Sequence, residues 1–233
     1  NSSDYSYINS MNKRSRSIKN IFKTQKLKSK LILVNKSNCN FLLKKINNKY
    51  FKSKGNIENL AFAYKIVKNF KINDKIIIKA LNKFKGLPHR QEIIFSNNKL
   101  LCINDSKATS FDACLQSLLN YNKIYWIVGG IPKYQDRFNL KNVKKRIIKA
   151  YIIGKNTSFF KKQIRNNIPF TVSKNLQNAV NNICTDIKLN KDSKNTILLS
   201  PAAASFDQFT NFGSRGNYFK NLIIKKFKRN LNV

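Results

Sequence analysis

The chain has 233 residues, 42% of them hydrophobic and 12% aromatic, which sets aside wholesale disorder and allows a buried core. No run reaches the roughly 20 uninterrupted apolar residues that span a bilayer, and the opening NSSDYSYINS lacks the basic-then-apolar order of a secretory leader. Lys and Arg total 46 against 10 Asp and Glu, a net charge of +36, yet the basic residues recur along the whole chain among many Asn and Ile. Lys, Asn and Ile share AT-rich codons, so codon bias is the reading preferred here. A nucleic-acid-binding protein is the alternative, without a recognisable module to carry it.

The four cysteines, Cys39, Cys102, Cys114 and Cys184, are far apart, form no C-x-x-C pair and have only His89 to join them. That pattern argues against a zinc site and for reduced core thiols in a cytoplasm.

In chain order, MNKRSRSIKNIFKTQKLKSK reads as a solvated basic connection. Leu31–Val34 and Asn40–Leu43 read as the strands of a short hairpin. From Asn56, the residues Ile57, Leu60, Ala61, Tyr64 and Val67 recur at helical spacing. A second helix follows, with Asp74 as its cap and Ile77, Ala80, Leu81 and Phe84 as its buried stripe. Gly86 and Pro88 punctuate the chain as a domain boundary does, giving domains 1–86 and 87–233.

Beyond it, Glu92–Phe95 and Leu100–Ile103 read as a hairpin, Ser110–Leu119 as a helix, and Tyr125–Val128, Ala150–Ile153 and Thr196–Leu199 as apolar strands. Asn175–Ile187 and Gly216–Phe227 read as helices. Short apolar strands alternating with helices predict an α/β fold with a mostly parallel sheet covered on both faces. Ligands bind beyond the carboxyl ends of such strands. That rule selects 104–109, 129–133, 154–155 and 200–205.

Those segments hold suitable chemistry. Asn104, Asp105, Ser106, Lys107 and Thr109 lie between a strand and a helix, where free amides and a lysine favour an anion. Helix capping by Asp105 or Ser106 is the structural alternative. LLSPAAASFDQF places small residues after a strand, then Ser205 and Asp207; its Ala run also fits the start of a packed helix. Arg215 is available for an internal ion pair, and Arg90 beside the boundary is suited to clamping phosphate. His89, with no nucleophile or second ligand beside it, reads as structural.

Taken together, KGNIENLAFA, GLPHRQE, NDSKATS, Gly129-Gly130 with Lys133, and LLSPAAASFDQFTNFGSRGNYF resemble the D-glutamate-adding members of the Mur ligase family in order and spacing. The resemblance runs from about Asn56 to Phe227. It implies a Rossmann-like C-terminal domain that binds D-glutamate, preceded by the tail of a central P-loop ATPase domain. The implied reaction is ATP- and Mg-dependent amide formation between UDP-N-acetylmuramoyl-L-alanine and D-glutamate in peptidoglycan biosynthesis, in the cytoplasm and as a monomer. No membrane and no specific nucleic acid are implied as partners.

By the same resemblance Asn56, Asn59, Arg90 and Asp105 contact ATP. Lys107, Thr109, Lys133, Ser205, Phe206 and Phe212 hold D-glutamate. Ser53 and Gly55 stand where the family shows Gly and His. No Gly-rich phosphate loop occurs in the 233 residues, and the chain begins at Asn1. The family's phosphate loop, magnesium ligands and UDP-binding domain are expected upstream, which makes this a truncated fragment, inactive alone. A degenerate remnant that folds without binding is the remaining alternative.

Overall fold

The computed structural model describes residues 4–12, 14–52, 54–189 and 194–227. The chain divides into two compact units, Asn1–Lys85 and Gly86–Val233.

In the first unit, β1 (Tyr5–Asn9) and β2 (Lys30–Val34) pair in parallel, Tyr5 opposite Lys30 and Asn9 opposite Val34. Parallel neighbours need a crossover, and α1 (Arg14–Thr24) supplies it. The basic run is therefore a helix in this part, not an irregular connection. Ile18 and Phe22, one turn apart and half-buried, are the apolar stripe that its Arg and Lys residues obscure.

The second half of the expected hairpin is also helical. Asn35 accepts from Ser37 N while Asn38 Oδ1 accepts from Asn35 N, a reciprocal cap that opens a 3-10 turn over Lys36–Cys39. That turn runs straight into α2 (Asn40–Lys45), whose Leu42 is buried.

α3 (Lys54–Asn69) buries Leu60 and Ala61, and α4 (Asp74–Lys83) buries Ile77 against them, with Leu81 and Phe84 partly buried. Ala80 is exposed and does not belong to the stripe. The cap of α4 is Asn73, which accepts from Lys75 N. Asp74 instead accepts from Tyr64 Oη and Lys68 Nζ, both at 3.2 Å, and ties α4 to α3.

The second unit is a six-stranded sheet in the order β3-β4-β8-β5-β6-β7. Its strands are β3 (Glu92–Ser96), β4 (Leu100–Asn104), β5 (Ile124–Gly129), β6 (Ile147–Ile153), β7 (Phe170–Lys174) and β8 (Asn195–Leu199). Only β3 runs antiparallel, joined to β4 by the tight turn the sequence predicts. The helices are α5 (Phe111–Asn120), α6 (Thr157–Ile164), α7 (Leu176–Leu189) and α8 (Phe212–Phe227). α6 and β7 were not anticipated: α6 has only Phe160 and Ile164 fully buried among polar residues, and β7 is an edge strand carrying Thr171 and Ser173.

Strand alternation sorts the core into two layers. Trp126, Val128, Ala150, Ile152 and Leu198 face α5 and α6, packing on Phe111, Leu118, Phe160 and Ile164. Tyr125, Ile127, Tyr151, Ile153 and Leu199 face α7 and α8, packing on Val180, Ile183, Phe219 and Ile223. This is the α/β fold expected, mostly parallel and covered on both faces. Among the described residues no helix is long and apolar enough to cross a membrane.

Candidate functional site

The loops after β4, β5, β6 and β8 leave the same edge of the sheet, and a polar network joins them. β8 pairs with both β4 and β5, so the loops following these three strands are neighbours by construction of the sheet. Gly130 has φ of +131°, and a Cβ there would collide with the Ala204 carbonyl oxygen. That close approach lets Ile131 and Ala204 form a bridge, each amide donating to the other's carbonyl at 2.9 Å. The Ala run is therefore a loop, not a helix start; Ala202 sits buried at φ 55°.

At the end of β4, Asn104 is wholly buried. Its Oδ1 accepts from Ser106 N at 3.2 Å, which fixes the amide's orientation. Nδ2 then donates to His89 Nδ1 at 2.9 Å, Glu92 Oε2 at 3.2 Å and Gly216 O at 3.2 Å. An Nδ1 that accepts a hydrogen bond carries no proton, and burial lowers the His89 pKa in the same sense. Burial pushes Glu92 up, but its bond from Lys220 Nζ at 2.6 Å and the His89 amide outweigh that and hold it below the usual range. His89 is structural, as its isolation in the sequence implies.

Asp105 is 6% exposed. Oδ1 accepts from Gln91 N at 3.2 Å, and Oδ2 accepts from the hydroxyls of Ser117 and Ser200, the latter at 2.9 Å. Burial outweighs these donors and raises its pKa to about 6, even with the Arg90 charge opposing. The cap of α5 is neither Asp105 nor Ser106. It is Ser110, supported by Asp136 Oδ2, which accepts from Phe111 N at 2.9 Å. Ser106 is buried and donates to Phe212 O at 2.8 Å.

Lys107 is exposed, but its amide donates to His89 O at 3.1 Å and its Nζ lies 3.9 Å from the centre of the Phe212 ring. That cation–π contact stiffens an otherwise free side chain by about 0.5–1 kcal/mol. Phe212 in turn meets His89 edge-on at 6.2 Å. Ser205 is buried, Phe206 is 70% exposed and Tyr134, beside exposed Lys133, is 93% exposed. Thr109 is half-buried and Arg90 exposed.

Asp207 joins the β6 loop by accepting from Lys155 N at 2.9 Å, and Asn156 Nδ2 donates to Gly130 O at 3.0 Å. Arg215, 1% exposed, makes no ion pair among the described residues, contrary to the expectation. It donates to Ser106 Oγ at 3.0 Å, Ser106 O at 2.9 Å and Ala203 O at 3.0 Å. Burial lowers its pKa to about 10, with Asp207 pulling weakly the other way.

The structure thus joins Lys107 to Phe212 by the cation–π contact, and Phe212 and Arg215 to Ser106, next in the chain to Asp105. Ser205, whose carbonyl accepts from Gln208 N and Phe209 N, follows Ala204 in the loop after β8. The bridge of Ile131 to Ala204 joins the Lys133 loop to it. Sequence reasoning missed Asp136 as the support of α5, Asp207 as a loop tie and Arg215 as a hub. The last was legible: Phe212, Arg215, Phe219 and Ile223 have the spacing of a buried helical stripe.

Asn56 and Asn59 lie in the first unit, on α3. Asn56 Nδ2 donates to Tyr50 O at 2.7 Å, and Asn59 is exposed. Gly55 has open space where a side chain would stand, and Ser53 is outside the described residues.

No protein-family model matches the chain. Among curated proteins, the UDP-N-acetylmuramoylalanine–D-glutamate ligase of Rickettsia felis is 35% identical over 175 residues, 75% of this chain and 39% of the relative. That of the Wolbachia of Brugia malayi is 38% identical over 164 residues, 70% of this chain and 33% of the relative. Among solved structures, MurF from Acinetobacter baumannii superposes with a TM-score of 0.59 over 94% of this chain and 51% of that one, at 12% identity, a likeness of fold.

The sequence relatives define the class, and the fold agrees with it: this stretch of chain belongs to the Mur ligase family. Within that family it groups with the UDP-N-acetylmuramoylalanine–D-glutamate ligases, and it spans no more than about two-fifths of the length of these relatives, 39% and 33%.

Proposed function

We propose that this chain supplies the amino-acid-holding part of an ATP-dependent ligase that joins D-glutamate to UDP-N-acetylmuramoyl-L-alanine, in cytoplasmic peptidoglycan synthesis. The observation that carries the reading is the joined loop edge: Lys107 held over Phe212, Phe212 bonded to Ser106, and the loop that carries Ser205 bridged at Ala204 to the loop that leads to Lys133. D-glutamate has two carboxylates, and Lys107 and Lys133 supply cations for them, with Thr109 and Ser205 as hydroxyl donors. Phe206 and Phe212 provide apolar walls. Holding the amine in one orientation is this chain's share of the chemistry, and orientation lowers the barrier to attack on an activated acyl group.

Arg90, exposed beside Asp105, suits an ATP phosphate. A carboxylate accepts about four hydrogen bonds, and Asp105 has three of these from protein donors, leaving one position for a ribose hydroxyl. Asn56 and Asn59 on α3 are assigned to the base. Magnesium does not fit the side chains present: no three His, Cys, Asp or Glu residues come together among those described.

Calorimetric titration of the 233-residue chain with D-glutamate tests the reading. Saturable binding is expected, weakened about tenfold by Lys107→Ala, the usual scale for losing one charge-assisted contact. Absence of any D-glutamate binding refutes it. With no phosphate loop in these residues, no turnover is expected from them alone when both substrates and Mg-ATP are supplied.

A further inference from the structure

We infer that Arg215 is a positioning residue for ligand anions, a buried cation that sets two loops at once and places a positive charge behind Lys107 and Ser205. The inference rests on the functional reading above and goes beyond it by naming what makes the site select a dianion.

Its place in α8 is unusual for a charged side chain. Phe219 and Ile223, with half-buried Phe212 at the helix start, mark the inward stripe, and Arg215 falls on it at 1% exposure. A guanidinium in such a position bears a large desolvation cost, which a carboxylate partner normally offsets. None stands within ion-pair distance among the described residues. The acidic group that influences it is Asp207, whose Oδ2 already accepts from Lys155 N. Arg215 instead spends its donors on neutral acceptors: Ser106 Oγ and O on the loop after β4, and Ala203 O on the loop after β8.

Two consequences follow. The planar fork locks the backbone one residue before Lys107 and two residues before Ser205, so both reach the ligand from fixed positions. The charge itself is only partly neutralised, and in a poorly solvated interior its field extends to the surface where those loops open. A methionine would fill the stripe without the desolvation cost but would supply neither effect. The ligand chemistry favoured is a small molecule with a second carboxylate. D-glutamine, of the same shape and one charge fewer, should gain much less from Arg215.

The test compares affinities of the full chain for D-glutamate and D-glutamine, by calorimetry, in the wild type, Arg215→Met and Arg215→Lys, with Trp126 emission confirming the fold. Arg215→Met should weaken D-glutamate about tenfold and D-glutamine less than about threefold. Arg215→Lys, which keeps the charge and loses the fork, should retain most of the wild-type preference for D-glutamate. If Arg215→Met does not fold, the lysine variant decides alone, since a preference reduced to parity there overturns the assigned role of the charge. Equal loss of both ligands in Arg215→Met overturns it too, leaving a purely structural residue. A wild-type chain that binds neither ligand removes the functional reading itself and this inference with it.

Discussion

Replacing Asp105 with Asn should change how the stability of the second unit depends on pH. Asp105 is 6% exposed, and burial raises its pKa from 3.8 to about 6 although Ser117, Ser200 and the Gln91 amide all donate to it. Between those two pH values the folded chain holds a proton that the unfolded chain has released. Stability therefore falls as pH rises through that window. The shift of about 2 pK units corresponds to about 3 kcal/mol at 1.36 kcal/mol per unit. The wild type bears that cost in full above about pH 6 and escapes it below 3.8. Asn, nearly the same shape and without a titration, bears none of the pH dependence.

Trp126 is the chain's one tryptophan, fully buried in β5, so its emission follows unfolding of this unit. Urea denaturation at pH 4 and pH 7.5 should show the Asn variant gaining about 3 kcal/mol relative to wild type at the higher pH. His89 and Glu92 titrate in both proteins and cancel in the difference. A difference that stays constant across pH would mean that Asp105 ionises normally, and the account of its burial would be wrong.

Three further outcomes follow from packing. Gly216→Ala sets a Cβ against the His89 ring and should cost about 1–3 kcal/mol; in a His89→Ala background the same change should cost nothing or stabilise, by denaturant titration. Trp126→Phe removes the bond from Nε1 to Ser200 O, 2.7 Å long, and should cost about 1–3 kcal/mol, read by circular dichroism since the fluorophore is lost. In the first unit Ile77→Ala should cost about 2–5 kcal/mol in thermal melts, whereas Ala80→Glu should stay within about 0.5 kcal/mol because Ala80 faces solvent.

Periodicity made the second unit readable where one signal dominated. Tyr125–Val128 and Thr196–Leu199 are uninterrupted apolar runs because they lie inside a parallel sheet, and each falls within its observed strand. The edge strand β7 lacks that signal, since its most buried side chain is the polar Ser173, which accepts from Asn182 Nδ2, and α6 shows two deep side chains among lysines. In the first unit, tertiary demands overrode local reading. Asn40–Leu43 looks extended until the cap formed by Asn35 and Asn38 turns the chain into a helix, and the α1 stripe is diluted by cations.

Motif order in the sequence alone picks out the loops after β4, β5 and β8. The helical spacing that puts Arg215 on the buried stripe is local, but its bonds to Ser106, 109 positions upstream, are set by the fold and have no local trace. The net charge of +36 did not resolve into a recognisable nucleic-acid module; exposed lysines occur in both units.

The sheet order has a consequence for how the chain is made. β8, the last in sequence of the described strands, lies between β4 and β5, and no other described strand joins these two. Until residues 195–199 emerge from the ribosome, the hairpin of β3 and β4 and the block of β5 to β7 are two separate half-sheets, each with an apolar edge open to other chains. Closure is a late, long-range event, slow for the entropic reason that the partners are nearly a hundred residues apart. Arg215 and Ser205 are translated only after that strand. The loop network proposed as the ligand site thus forms only after β8 is in place, and termination just before β8 would leave a chain prone to aggregate and without that network.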